Sequence, residues 1–119
     1  MKSAESLEQQ ALIQWAQFQS RTYPELKLLY HVPNGGKRNK VTAIRLKKEG
    51  VKAGVPDLCL PVPKGKWHGL YIEMKAQNGK LSEKQIWWIE QLRQQGYYVA
   101  VCYGWEQAKE TIVRYLKGE

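Results

Sequence analysis

Cysteine is scarce in this sequence, and so is histidine. Cys59 and Cys102, with His31 and His68, are the whole supply of soft or imidazole metal ligands in 119 residues. No CxxC or HxxxH spacing joins them, which leaves a zinc site without support. Both cysteines fall in apolar, strand-like stretches and read as reduced core residues. His31 reads as a strand-end residue and His68 as a turn residue. Long hydrophobic runs are missing too: nothing approaches the ~18 apolar residues of a membrane span. Met1-Lys2-Ser3-Ala4-Glu5 is polar where a secretory leader would turn apolar, so a cytoplasmic protein is expected. Repeats, low-complexity tracts and linkers are also absent, and residues 1–119 read as one domain with one core. Acids are in short supply, with 11 Asp and Glu against 19 Lys and Arg, a net charge of +8. That excess suits a polyanion, nucleic acid above all, although a plain solvated basic surface has the same composition.

What is present divides by period. A helix is expected from about Ser3 to Ser20, with Ser3 or Ser6 as N-cap. Its apolar stripe holds Ala4, Leu7, Ala11, Leu12, Trp15 and Phe18. Glu8 falls inside the stripe and Glu5 at its margin. An acid on a core-facing stripe needs a partner. Glu8 therefore either caps or pairs with a lysine, or it turns a third acid toward the patch described below. Leu26–Val32 reads as a short strand, and Pro33-Asn34-Gly35-Gly36 as a turn. Lys40–Lys48 has a weak helical pattern through Val41 and Ile44 and ends before Gly50. Ser82 caps a further helix, with Gln85 three residues on and Leu81 and Ile86 placed as a hydrophobic staple. That helix carries Ile86, Ile89 and Leu92 and stops at Gly96. Tyr97–Tyr103 is rich in β-formers, and Trp105–Leu116 is a last helix with Ala108, Ile112, Tyr115 and Leu116 inward. The order α-β-α-β-β-α-β-α, with a hairpin beside αβ connections, indicates a mixed sheet with helices packed on it.

The hairpin carries the chemistry. Its strands are Leu58–Val62 and Leu70–Lys75, joined through Pro63-Lys64-Gly65-Lys66-Trp67-His68-Gly69. Folding them together brings Asp57 toward Glu73. A side-chain period of two puts Glu73 and Lys75 on one face, and Ile72 and Met74 on the other. Two carboxylates and an ammonium then converge on one patch, and hard oxygen donors of that kind suit Mg²⁺ or Mn²⁺. Phosphodiester cleavage asks for those residue types. A cation on Asp57 and Glu73 polarises the phosphate and activates water, while an ammonium at Lys75 holds the water or neutralises phosphate charge.

The arrangement Asp57 … Glu73-x-Lys75 in the order α-β-β-β-α-β resembles the PD-(D/E)xK nucleases. Gly54-Val55-Pro56-Asp57-Leu58, Ile72-Glu73-Met74-Lys75, Gly79-Lys80-Leu81-Ser82-Glu83-Lys84-Gln85 and then Gly96 resemble the virus-type replication-repair nuclease domain, VRR-NUC. The resemblance implies a restriction-endonuclease-like αβββαβ core with a mixed central sheet flanked by helices. It implies Mg²⁺ or Mn²⁺ held by Asp57, Glu73 and the backbone carbonyl of Met74, with Lys75 as catalytic lysine. Glu8 matches the family's acid on the first helix. Gln85 matches its glutamine, although Ser82-x-x-Gln85 is equally a capping box. Asn34-Gly35 resembles the family's turn after the first strand, near the site or on DNA.

Stand-alone members resemble Holliday junction resolvases and form dimers, so the implied activity is metal-dependent, structure-selective endonuclease cleavage of four-way DNA by a homodimer. Lys37, Arg38 and Lys40, in a basic stretch that runs on to Lys52, are the expected DNA contacts besides Asn34. Trp87 and Trp88 are adjacent and cannot both face the core, so one is expected at an interface. Two other readings are a nucleic-acid-binding module without catalysis and a monomeric nickase or flap nuclease of the same fold. The first has no use for Glu8, Asp57, Glu73 and Lys75 together.

Overall fold

The computed structural model describes residues 3–34 and 39–119. Helix α1, Ala4–Gln19, starts where Ser3 turns its hydroxyl back to accept the Ser6 N–H at 3.1 Å. Its buried line runs through Leu12 and Ala16, with Ile13 and Trp15 packed beside them. Leu7 and Phe18, expected on the inward stripe, are 53% and 74% exposed. Of the expected stripe, Leu12 and Trp15 do face the core while Ala4 is also exposed, and the buried Ala16 lies outside it. Followed toward the N-terminus at helical spacing, the line from Leu12 reaches Glu8 and then Glu5.

A second difference follows. Pro24–Leu28 is a 3₁₀ turn, and only Tyr30–His31 forms strand β1, in place of a strand over 26–32. Pro24 at the first turn presets a helical φ. Leu26 and Leu29, three residues apart, pack inward at the 3₁₀ period.

Helix α2, Lys40–Lys48, is capped by Asn39, whose side chain accepts the Thr42 N–H at 2.7 Å. None of its residues is buried, and Val41 and Ile44 point to solvent. Strand β2, Leu58–Leu60, pairs antiparallel with β3, Leu70–Lys75, in the register Leu58↔Ile72 and Leu60↔Leu70. It stops before Val62, since Pro61 and Pro63 lack ladder donors. Helix α3, Glu83–Gln94, leads to β4, Tyr98–Tyr103, which runs parallel to β3. Helix α4, Trp105–Leu116, closes the fold. The four-stranded sheet has the order β1-β2-β3-β4 and is mixed, with helices packed on it.

The register decides what each face carries. Leu58, Leu60, Leu70, Ile72, Met74 and Cys102 join Leu12, Ala16, Ala108, Ile112 and Tyr115 in one apolar cluster under α1 and α4. By alternation Cys59, Tyr71, Glu73 and Lys75 belong to the opposite face. Strand β4 is one of the two edge strands, β1 being the other. Its Val99 carbonyl accepts from the Arg93 guanidinium at 2.9 Å, and its Tyr103 N–H donates to Gln107 Oε1 at 3.0 Å.

Candidate active site

Glu73 and Lys75 are the two buried charged residues among those described, 1% and 7% exposed. The strand register that brings Leu58 opposite Ile72 also brings Asp57, one residue before β2, beside the middle of β3. There Asp57 Oδ2 accepts the Met74 N–H at 2.8 Å. Its other oxygen, Oδ1, accepts from Asn34 Nδ2 at 3.0 Å. The same Asn34 nitrogen donates to the Val55 carbonyl at 2.7 Å, and Val32 N–H donates to the Asp57 carbonyl at 2.7 Å. The loop into Asp57 is pinned from the other side as well. Gly54 has φ +94°, and a Cβ there would stand 2.8 Å from the Lys84 backbone of α3. Only glycine combines that conformation with that approach.

Glu73 is held on the α3 side. Its Oε2 accepts from Gln85 Nε2 at 3.4 Å, while Gln85 Oε1 accepts the Ser82 N–H at 2.9 Å. Ser82 Oγ in turn accepts the Gln85 N–H at 3.1 Å, which completes the capping box of α3. The two sequence readings of Gln85, cap or site, are thus one residue using its two ends.

Glu73 Oε1 is buried and has no hydrogen-bond partner. A carboxylate oxygen left dry and unpaired is costly, and the group answers by holding its proton. Burial is the largest cause of a Glu73 pKa raised to about 9, followed by a side-chain hydrogen bond to Asp57 and then by the Asp57 charge. Two carboxylates have no donor between them, so such a bond needs a shared proton. Lys75 acts the other way, and the Glu5 charge adds to the rise. An orphaned acid oxygen beside a second carboxylate fits a hard divalent cation, with the Met74 carbonyl as the neighbouring backbone donor. Among the described residues no group of three or more His, Cys, Asp or Glu side chains gathers into a metal cage. The donor set is therefore lean, as suits an ion that keeps much of its water.

Glu8 is not free-standing. Its Oε1 accepts the Trp105 N–H at 2.9 Å, at the first turn of α4. The N-cap of that helix is Gly104, φ +99°, which has no side chain to do the same. A Cβ on Gly104 would come within 3.0 Å of Glu8 Oε1. Glu8, Lys75, Ala76, Tyr103 and Gln107 line an open cleft of about 500 Å³. Glu5, left at the margin by sequence reasoning, is the acid of α1 whose charge reaches Glu73. Its spacing of seven from Leu12, on the inward helix line, was the available signal.

Lys37, Arg38 and Gly35 lie outside the described residues. Lys40 is exposed at the start of α2. Asn34 is partly buried, with its amide turned to Asp57. Trp87 is 55% exposed and meets the partly buried Trp88 edge to face, 5.4 Å between centroids. Among the described residues no helix is long and apolar enough to cross a membrane.

The VRR-NUC domain, as a family, matches residues 3–106 of this chain. Among solved structures, a "VRR_NUC domain protein" is similar at 30% identity with a TM-score of 0.82, over 100% of this chain and 93% of that one. Among curated proteins, none matches.

Proposed function

From the premise that this chain belongs to the VRR-NUC family, a nuclease-type domain of the PD-(D/E)xK superfamily, we propose that it is a cytoplasmic, metal-dependent endodeoxyribonuclease. Its reaction is phosphodiester hydrolysis on branched DNA, four-way junctions first. The observation that carries the reading is Glu73, buried with one oxygen unpaired beside Asp57 and with Lys75 on the same strand face. A Mg²⁺ or Mn²⁺ ion on Asp57, Glu73 and the Met74 carbonyl would supply Lewis acidity toward phosphate and water. Lys75 places an ammonium where the attacked phosphate gains negative charge, in surroundings dry enough to strengthen the attraction. Asp57, hydrogen-bonded through both oxygens, keeps a fixed orientation. Gln85 orients Glu73, and Glu8 lines the same cleft as Lys75.

Asn34, Lys37, Arg38 and Lys40 are proposed as the nucleic-acid-facing residues at the root of the basic stretch. Asn34 acts there through Asp57. The chain is proposed as a homodimer, because resolving a junction takes two cuts related by a two-fold axis. The exposed Trp87 is the proposed apolar anchor, since aromatic residues are common at interface cores.

The test is incubation with linear, nicked, flapped and four-way DNA in Mg²⁺, Mn²⁺ or chelator, with products mapped at nucleotide resolution. Expected are paired incisions on opposing strands of the junction and none in chelator. Absence of cleavage on every substrate would overturn the enzyme reading. Equal nicking of linear duplex would overturn only the junction.

A further inference from the structure

Each of the two site carboxylates is held by a neutral amide, and each amide is itself oriented by a backbone group that has no choice of role. The oxygen and nitrogen ends of an Asn or Gln are near-equal in shape, so their assignment rests on partners. Asn34 Nδ2 lies 2.7 Å from the Val55 carbonyl, which only accepts, so the nitrogen must face that way. Gln85 Oε1 lies 2.9 Å from the Ser82 N–H, which only donates, so the amide oxygen must face there. Both assignments stand without reference to the acids, and both leave an N–H for a carboxylate: Asn34 for Asp57 Oδ1, Gln85 for Glu73 Oε2.

We propose that Asn34 and Gln85 are the paired positioning residues of this site. Their locked amides fix one oxygen of each acid and leave Glu73 Oε1 as the open donor for a divalent cation. The proposal rests on the metal-dependent reading above. A lysine or arginine in either place would orient the acids too, but its charge would compete with the cation. An amide orients without competing. The residue chosen at position 85 argues the same way. Glutamate would complete the capping box as well as glutamine does. It would offer Glu73 no donor and would add a third negative charge. A residue chosen only to cap α3 has no reason to avoid glutamate, whereas one that must also donate to Glu73 does.

Titration calorimetry of the full chain with Mn²⁺ tests this, with melting temperature measured in parallel. Gln85→Leu removes the cap acceptor and the donor to Glu73. Ser82→Ala weakens the same capping box by losing Oγ but keeps the Ser82 N–H that orients Gln85. Expected for Gln85→Leu and Asn34→Ala is a Mn²⁺ dissociation constant raised about 10- to 100-fold, the usual cost of losing an outer-shell partner. Ser82→Ala should melt earlier, much as Gln85→Leu does, and bind Mn²⁺ within about twofold of wild type. If Gln85→Leu bound Mn²⁺ like wild type, or if Ser82→Ala lost as much affinity, Gln85 would be a cap alone and the proposal overturned. A wild-type chain that binds no Mn²⁺ would overturn the metal reading and this proposal together.

Discussion

Glu73 is the residue on which most of the chemistry turns, and it makes the sharpest demands on pH. Its carboxyl, raised from 4.5 to about 9 by burial first and by Asp57 second, binds a proton more tightly in the folded than in the unfolded chain. The stability linked to it is fully present below pH 4.5 and is lost progressively as pH climbs to about 9. Metal-free protein should therefore melt at falling temperature from pH 5 to 9. Glu73→Gln should flatten that slope, and saturating Mn²⁺ should raise the alkaline melting points of wild type; scanning calorimetry across pH checks both. Substituting Asp57, Glu73 or Lys75 by Ala should each lower cleavage by at least about 100-fold, the scale set by losing a transition-state charge partner. Circular dichroism should stay native, and wild-type activity in Asp57→Ala would sink the assignment. The convergence of these three side chains was legible in the sequence, because the spacing along a hairpin survives any detail of packing. The partner of Glu8 was not, since the Trp105 N–H is distant in sequence and near only after α1 and α4 meet. Glu8→Gln keeps a carbonyl-type acceptor for that N–H, whereas Glu8→Ala does not. Expected is a loss of about 1 kcal/mol for Glu8→Ala, as for other lost caps, and almost none for Glu8→Gln. Turnover then separates the roles. A slower Glu8→Gln at wild-type stability marks the acid as part of the site, and full activity marks it as a cap alone.

Among the helices, α2 stands apart because none of its residues is buried. Lys40, Arg45, Lys47 and Lys48 project from a helix with no buried residue, and its one neighbouring acid, Glu49, is spent on Arg45 at 3.1 Å. Removing Lys40, Lys47 and Lys48 together should leave the melting temperature unchanged. The same change should weaken DNA binding across sequences and flatten its logarithmic salt dependence by about 0.9 per lost phosphate contact. Titrations of labelled duplex at several salt concentrations report the slope, and an unchanged slope would remove α2 from the interface. Sequence reasoning found α2, but not that Val41 and Ile44 would face water. It also read residues 26–32 as a strand, because alternation of apolar residues says nothing of a proline that has already set the backbone. The face of α1 was misplaced by the same logic. The helical period took in Leu7 and Phe18, which are exposed, and left out Ala16, which is buried. Where capping signals were strong, as at Ser82, the helix begins where expected.

At the scale of the whole molecule, the proposed two-fold assembly is the remaining test. Light scattering after gel filtration should report about twice 13.8 kDa. Trp87→Lys should halve that mass while leaving the single-chain melting profile intact, because Trp87 is 55% exposed. A wild type that elutes as one chain would reject the dimer. The β4 edge of the sheet constrains how such a pair could form. An uncovered strand with the sequence Tyr98-Val99-Ala100-Val101-Cys102-Tyr103 is a natural template for a neighbouring chain, without one charged side chain to discourage it. Yet the Val99 carbonyl is occupied by Arg93, and the Tyr103 N–H by Gln107, near the two ends of the strand. A second chain approaching along that margin finds hydrogen-bonding positions already taken at both ends and no continuous ladder to extend. Strand addition along the β4 margin is obstructed at both of its ends, which disfavours fibre growth through it.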